Sequence, residues 1–269
     1  MSEPLISVIV PAYNSGPAIR PCLDSVFGQT LQNVEVIVVD GQSSDETVDI
    51  LRAYEKEKKL RWKSEKDDGI YDAINKGIRM AKGRWMYVLG SDDRLYENTT
   101  LEKVAPFLEK AGSGVVYGNV KIKGDAGWAK DGEVHDGEFT TEKLLRANIC
   151  QQSVFYHRDV FEKFGYFNPE YKVCADWDFI LRCAAGTSLV YMDVIVAEFS
   201  GGGTSAVRKE EKFYEELPAN LYRYFGLRVF RKEFRPAGWR FRKLSSEYAA
   251  KGKKWKSFFF GRVARRLGS

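Results

Sequence analysis

Histidine is nearly absent from this chain. There are two, His135 and His157, beside four cysteines, Cys22, Cys150, Cys174 and Cys183, none of them in a CxxC pair. That poverty argues against a zinc site, which needs closely spaced His and Cys ligands. The thiols read as buried or idle in a reducing compartment. No apolar run approaches the roughly 18 residues of a membrane span. The start, Met1–Pro4 and then Leu5–Val10, has neither the positive charge nor the apolar length of a signal peptide. No GxGxxG follows the first apolar run, which argues against a dinucleotide enzyme. Acid is scarce in one region only. From Arg208 to Ser269 there are 18 Lys+Arg against 6 Asp+Glu, a net +12, whereas the first 207 residues hold 24 against 31, a net −7.

What is present suffices for a large core: 269 residues, 44% hydrophobic and 14% aromatic. "LISVIVPAYN" (5–14) and "VEVIVVD" (34–40) read as buried parallel strands. A helix over about 17–27 separates them. After Asp40 the chain turns into a second helix, with Ser44/Thr47 or Ser43/Glu46 as capping pairs. "LRWKSE" (60–65) reads as a third strand and "RWMYVL" (84–89) as a fourth. Between them "GIYDAINKGIRMAK" (69–82) places Ile70, Ala73, Ile74, Gly77, Ile78 and Ala81 on one helical face, with Tyr71, Asp72, Asn75 and Lys76 on the other. Asp68 suits the N-cap of that helix.

Three β-then-α steps leading to a fourth strand predict a doubly wound α/β sheet, whose ligands bind beyond the carboxyl ends of the strands. Asp40, Asp67/Asp68 and Asp92/Asp93 all fall just after predicted strands, so the fold gathers them at one rim. A lone acid there is as often a turn former as a ligand, but three converging acidic turns point to a site that handles a cation. Further on, strands are expected at 113–122 and 188–199, a loop or hairpin at 123–138, strand, helix and turn over 151–171, and a helix at 175–185. On that helix Asp178 stands four residues before Arg182, the spacing of an ion pair.

Together "SVIVPAYN", "VEVIVVDGQSSDET", "SEKDDGIYDAINKGI…AKGRWMYVLGSDD", "QQSVFY…FGYFNPEY" and "ADWDFILR" resemble the GT-A-fold glycosyltransferases of family 2, in family order over roughly residues 5–205. The similarity is greatest to bacterial members that build cell-surface polysaccharides. The resemblance implies a GT-A catalytic domain, 1–207, with a Rossmann-like nucleotide-binding sheet and a mixed second half, followed by a basic helical region, 208–269. It implies a nucleotide-sugar donor, a UDP-sugar above others, Mn²⁺ or Mg²⁺, inversion at the anomeric carbon, and a glycan or lipid-linked acceptor. Asp40 would hold the base in a pocket lined by Pro11, Ala12 and Tyr13. Asp67 would reach base or ribose, and Ser91 belongs with the nucleotide. Asp92 would bind the metal; Asp93 is a second ligand, a support for the first, or a cap. Asp176 would be the catalytic base. Tyr71, Asn75, Gln152 and Trp177 are candidates for the donor or acceptor sugar. The chain departs from the family where Gly90 replaces the first acid of a DxD motif, and where no histidine follows the last strand near Ser200–Gly203. Gly201–Gly203 suits either a lid over the diphosphate or an ordinary loop.

The basic tail interleaves Arg/Lys with Trp and Phe, which suits an anionic membrane surface ahead of an oligomer contact or another anion. Attachment to the inner face of the cell membrane from the cytoplasm is expected. Two rival activities bear weighing. A glycoside hydrolase needs paired carboxylates but no nucleotide. A nucleic-acid module driven by the tail leaves the acidic rim unexplained.

Overall fold

The computed structural model describes residues 3–58, 60–201 and 210–269. Its spine is a set of β-branched runs. β1 (Ile6–Ala12) and β4 (Trp85–Val88) are buried along their whole length, and β2 (Val34–Asp40) over its last five residues. That is the requirement for parallel strands covered on both faces. With β3 (Arg61–Ser64) they run parallel in the order β3-β2-β1-β4. Alternation sorts their side chains into two layers. Ile9 joins Ile74 and Ile78 of α3 (Ile70–Met80), while Val8 and Val10 join Ile19 and Leu23 of α1 (Gly16–Phe27) and Leu51 of α2 (Thr47–Lys58).

The second half of the sheet is mixed. β8 (Val154–His157) is antiparallel to β4 and to β6 (Val115–Lys123). The long β9 (Leu189–Ser200) runs parallel to β6, and a two-residue β5 (Arg94–Leu95) closes the row antiparallel to β9. The 123–138 segment forms a hairpin arm in which β7 (Val134–His135) pairs with β6. This is the GT-A arrangement expected from the sequence, and strands and helices in the first 90 residues lie within a residue or two of the expected bounds.

Two features differ. α4 (Thr100–Ala111) was not anticipated, although Leu101, Val104 and Leu108 stand at helical spacing and are all fully buried. The start of α2 is steadied not by Ser44 or Ser43 but by Asp45, whose Oδ1 accepts from the Thr47 amide at 3.0 Å. Likewise Asp68 does not cap α3: Gly69 holds the cap position, and Asp72 reaches back to accept from the Asp68 amide at 3.2 Å.

Short helices α5 (Thr141–Leu144) and α6 (Arg158–Phe164) lead to α7 (Ala175–Gly186). His157 is structural, packed edge-on to Trp85 at 5.1 Å and capping α6. Beyond the described gap come α8 (Glu211–Phe225), two 3₁₀ segments, α9 (Gly238–Ala250) and α10 (Lys254–Arg266). Phe213, Leu221, Phe234, Phe241 and Val263 are buried and belong to one continuous core with Tyr71, Trp177 and Phe179. Much of the aromatic tail is therefore spent inside the molecule. Among the described residues no helix is long and apolar enough to cross a membrane.

Candidate active site

The chain steps outward twice from β1, to β2 and then β3, and its third crossover returns to place β4 on the other side of β1. The crevice between the carboxyl ends of β1 and β4 is the switch point where such sheets bind ligands. The loop after β1 forms one wall and is pinned at both ends. Asn14 donates its amide to Ser43 Oγ (2.8 Å) and accepts from the Ser44 amide (2.9 Å); Ser15 Oγ lies 2.8 Å from Ser91 Oγ. The Asp40 turn and the Ser91–Asp93 turn thus flank one cleft, as the expected rim requires.

The acids on that rim have different fates. Asp40 is fully buried. Its Oδ1 accepts from the Ser43 hydroxyl, and its Oδ2 from the Ser64 hydroxyl (2.6 Å) and the Ser43 amide (3.1 Å). Asp40, expected to hold the base, has both oxygens engaged in bracing its own turn. Asp67 is the acid that is offered. Its Oδ1 accepts from the Gly69 amide at 2.9 Å, while Oδ2 leans over Gly41. A Cβ on Gly41 would lie 2.5 Å from that oxygen and 3.3 Å from the Tyr13 ring, so only glycine leaves room there. Pro11 and Ala12 are buried at the strand end, and Tyr13 stands 66% exposed above them.

At the other wall the "SDD" of residues 91–93 divides its labour. Asp92 is exposed. Asp93 is buried, its Oδ1 accepting from the Ser200 amide (2.8 Å) and its Oδ2 from Gln152 Nε2 (2.7 Å). Burial, and then the charge of Asp92, push its pKa up to about 7 in spite of these donors. The two carboxylates converge over Gly90. A Cβ there would sit 2.4 Å from Asp93 Oδ2 and 3.0 Å from Asp92 Oδ1. A side chain at Gly90 would therefore have to displace one of these carboxylates. Among the described residues no group of three or more His, Cys, Asp or Glu stands ready to enclose a metal. One open carboxylate beside a buried one is instead the donor set Mg²⁺ uses when substrate phosphate and water complete its shell.

A second centre lies where α7 begins. Asp176 Oδ1 accepts from the Tyr71 hydroxyl (2.9 Å) and Oδ2 from Asn148 Nδ2 (2.8 Å). The first-turn position favours the anion, but desolvation outweighs that and both side-chain donors, raising the pKa to about 6. A carboxylate so poised is ionised at neutral pH yet more basic than a solvated one. The segment 148–152 ties the two centres together, with Asn148 on Asp176 and Gln152 on Asp93. Four peptide units span at most about 14 Å, so this one short segment bears on both acids. Among the described residues Asn148 Oδ1 and Gln151 Nε2 are buried there without a hydrogen-bond partner.

Three of the residues expected at the sugar have other work. Trp177 is buried, donates its indole N–H to the Leu144 carbonyl (2.8 Å) and packs on Phe213 at 5.3 Å, so it holds α8 to α7. Asn75 is buried and exchanges two hydrogen bonds with the Phe167 backbone (2.8 and 3.1 Å). Gln152 serves Asp93. Tyr71 acts through Asp176; its single hydroxyl proton is within reach of both Asp176 and the Val173 carbonyl at 2.7 Å. Asp178 pairs with Arg182 Nε at 3.0 Å, as its spacing predicts, and accepts from Tyr224. Asn148 was missed, because nothing local marks an asparagine that partners an acid 28 residues away. Gly202 and Gly203 lie outside the described residues.

Residues 7–165 match the family profile described as "Glycosyl transferase family 2". The chain belongs to glycosyl transferase family 2. A PGL/p-HBAD biosynthesis glycosyltransferase of Mycobacterium tuberculosis is 39% identical over 226 residues, covering 81% of this transferase and 86% of the relative. Among solved structures, S. aureus TarS in complex with UDP-GlcNAc matches with a TM-score of 0.67 at 21% identity, covering 91% of this chain and 72% of that one. A mannosyltransferase from Pyrobaculum calidifontis in complex with GDP-Man and Mn²⁺ matches with a TM-score of 0.59 at 17% identity, covering 99% and 86%. At those identities the likeness establishes a shared GT-A fold.

Tyr71 gives this transferase a clean test. Tyr71→Phe leaves Asp176 with one fewer donor to its charged form, so its pKa should rise further. The acid limb of the kcat/KM profile should move to higher pH, with activity several-fold lower near pH 6 and little changed near pH 8. An unmoved limb would mean that Asp176 is not the group titrating.

Proposed function

We propose that the enzyme transfers a sugar, with inversion, from a nucleoside-diphosphate donor, a UDP-sugar before others, to a hydroxyl of a growing or lipid-linked glycan. The observation that carries this reading is the pairing, across one short segment, of one exposed and one buried acid at the switch point with a half-buried carboxylate of raised pKa. The base of the nucleotide stacks on Tyr13, with Asp67 Oδ2 accepting from a ring N–H, and Ser15 and Ser91 lie toward the ribose. Asp92, with Asp93 beside it, would hold Mn²⁺ or Mg²⁺, which supplies charge stabilisation to the departing diphosphate. Asp176 accepts the proton of the acceptor hydroxyl as it attacks. A base set for the acceptor hydroxyl fits one direct displacement, hence inversion. Support for the donor class comes from the UDP-GlcNAc and GDP-Man held by structural neighbours, and for the metal from the Mn²⁺ in one of them.

A thermal-shift series with UDP, GDP, CDP and ADP, each with and without Mn²⁺, tests the reading. One diphosphate should raise the melting temperature by several degrees, and only with the cation. A ligand present at 100 times its Kd contributes about 2.7 kcal/mol. No shift from any diphosphate, or an equal shift in chelator, would overturn it. A hydrolase with paired carboxylates would keep working in chelator.

A further inference from the structure

Two grooves between the C-terminal helices display aromatic side chains to solvent. One, of about 370 Å³, sets Trp239 among Glu211, Glu215 and Glu247. The other, of about 290 Å³, is lined by Leu227, Phe230, Trp255, Phe258, Phe259 and Arg262 and contains no acid. On its rim Leu227 is 71% exposed, Trp255 85% and Phe258 55%. These are three large apolar groups on one face, which soluble surfaces seldom assemble. From Lys251 to Arg266 there are seven basic residues and no acidic one, and all seven are exposed. Arg262 lies 5.8 Å from the Phe258 ring centre, so cation and apolar face are interleaved rather than segregated.

We infer that this rim is the surface by which the enzyme seats itself on an anionic bilayer. Leu227, Trp255 and Phe258 enter the boundary between headgroups and acyl chains, and the lysines and arginines around them contact lipid phosphates. Burial of the aromatic groups gives insertion, and the charges give selectivity for anionic lipid; neither alone holds a protein on a membrane firmly. Charge decides between this and a second copy of the chain. A two-fold contact would set the same basic collar against itself. It decides between the two grooves as well: around Trp239 three glutamates outweigh Arg240 and Lys243, whereas the other groove carries Arg262 and no acid.

The seat is rigidly joined to the chemistry. Tyr222 of α8 packs on Phe259 at 4.7 Å and Phe260 at 5.6 Å of α10, while Tyr224 of the same helix bonds Asp178 and Phe213 packs on Trp177, both on the helix whose first turn carries Asp176. A membrane docked on α10 therefore fixes the orientation of that helix relative to the bilayer. The inference does not depend on which nucleotide the donor carries.

Flotation of the full-length protein with phosphatidylcholine vesicles, with and without phosphatidylglycerol, tests it. Binding is expected to the mixed vesicles and to be lost from the neutral ones. Trp255→Ser with Phe258→Ser should weaken it by about tenfold or more. Replacing Lys253, Lys254 and Lys256 by Gln should weaken it by about 100-fold, at roughly fivefold per charge. Trp239→Ser should bind like the parent. All these side chains are exposed, so melting temperatures should be unchanged. Equal binding to neutral vesicles, or full binding by the Trp255/Phe258 variant, would overturn the inference. So would a loss confined to self-association in light scattering, or to binding of generic RNA, in those same variants.

Discussion

Asp176→Asn is expected to abolish most turnover while leaving donor binding intact and making the protein more stable. Removing a general base costs roughly 10²–10⁴-fold in rate, so kcat should fall by that amount, with the calorimetric Kd for nucleoside diphosphate and Mn²⁺ unchanged. The stability effect follows from the same burial that makes the acid a base. Its pKa is raised from 3.8 to about 6 in the folded state. Between those values the folded protein binds more protons than the unfolded chain, so stability declines as pH rises through the window and stays reduced above it. An amide escapes that penalty. Asn148, whose Oδ1 lacks a partner, can turn its own amide over to accept from the new one. The variant should therefore melt higher than the parent at pH 8, by an amount of order 1–3 kcal/mol, and the gain should vanish toward pH 4. Lower stability with lower activity would indicate a structural role for Asp176, and unchanged turnover would remove it from the mechanism.

Asp92→Ala is expected to fail at an earlier step. Its carboxylate is exposed and so costs little to delete, and melting temperature should move little. On the proposed reading the cation would lose the exposed carboxylate that holds it, and with it several kcal/mol of stabilisation of the charge on the leaving diphosphate. Donor affinity measured by calorimetry in Mn²⁺ should drop by about 100-fold, toward the value the parent shows in chelator, and kcat/KM should fall at least as far. The two substitutions thus separate cleanly: one keeps binding and loses turnover, the other loses metal-dependent binding first. Undiminished donor affinity in Asp92→Ala would place the cation elsewhere.

How much of this was legible beforehand differs from element to element. The runs "ISVIVPA" and "VEVIVVD" announce buried parallel strands because a strand covered on both faces can be little else. The helical face of residues 69–82 shows its period directly. Acids after β2, β3 and β4 share a rim because the doubly wound topology puts every strand's carboxyl end on one side. So sequence determined the fold and the family, and named the rim on which the candidate site is placed. Tertiary structure decided which acids remain free. Asp40 was taken by Ser43 and by Ser64, the latter 24 residues away; Asp67 was left open by a bare Gly41; Asp176 acquired its pKa from burial and from Asn148 and Tyr71. It also decided which tail aromatics fill the core, as Phe213 and Phe241 do, and which, with Trp255, stay outside. The physical reason is common to all of these. Strand and helix patterns are written in neighbours along the chain, whereas desolvation and the filling of hydrogen-bond acceptors depend on groups that meet only when the chain has folded.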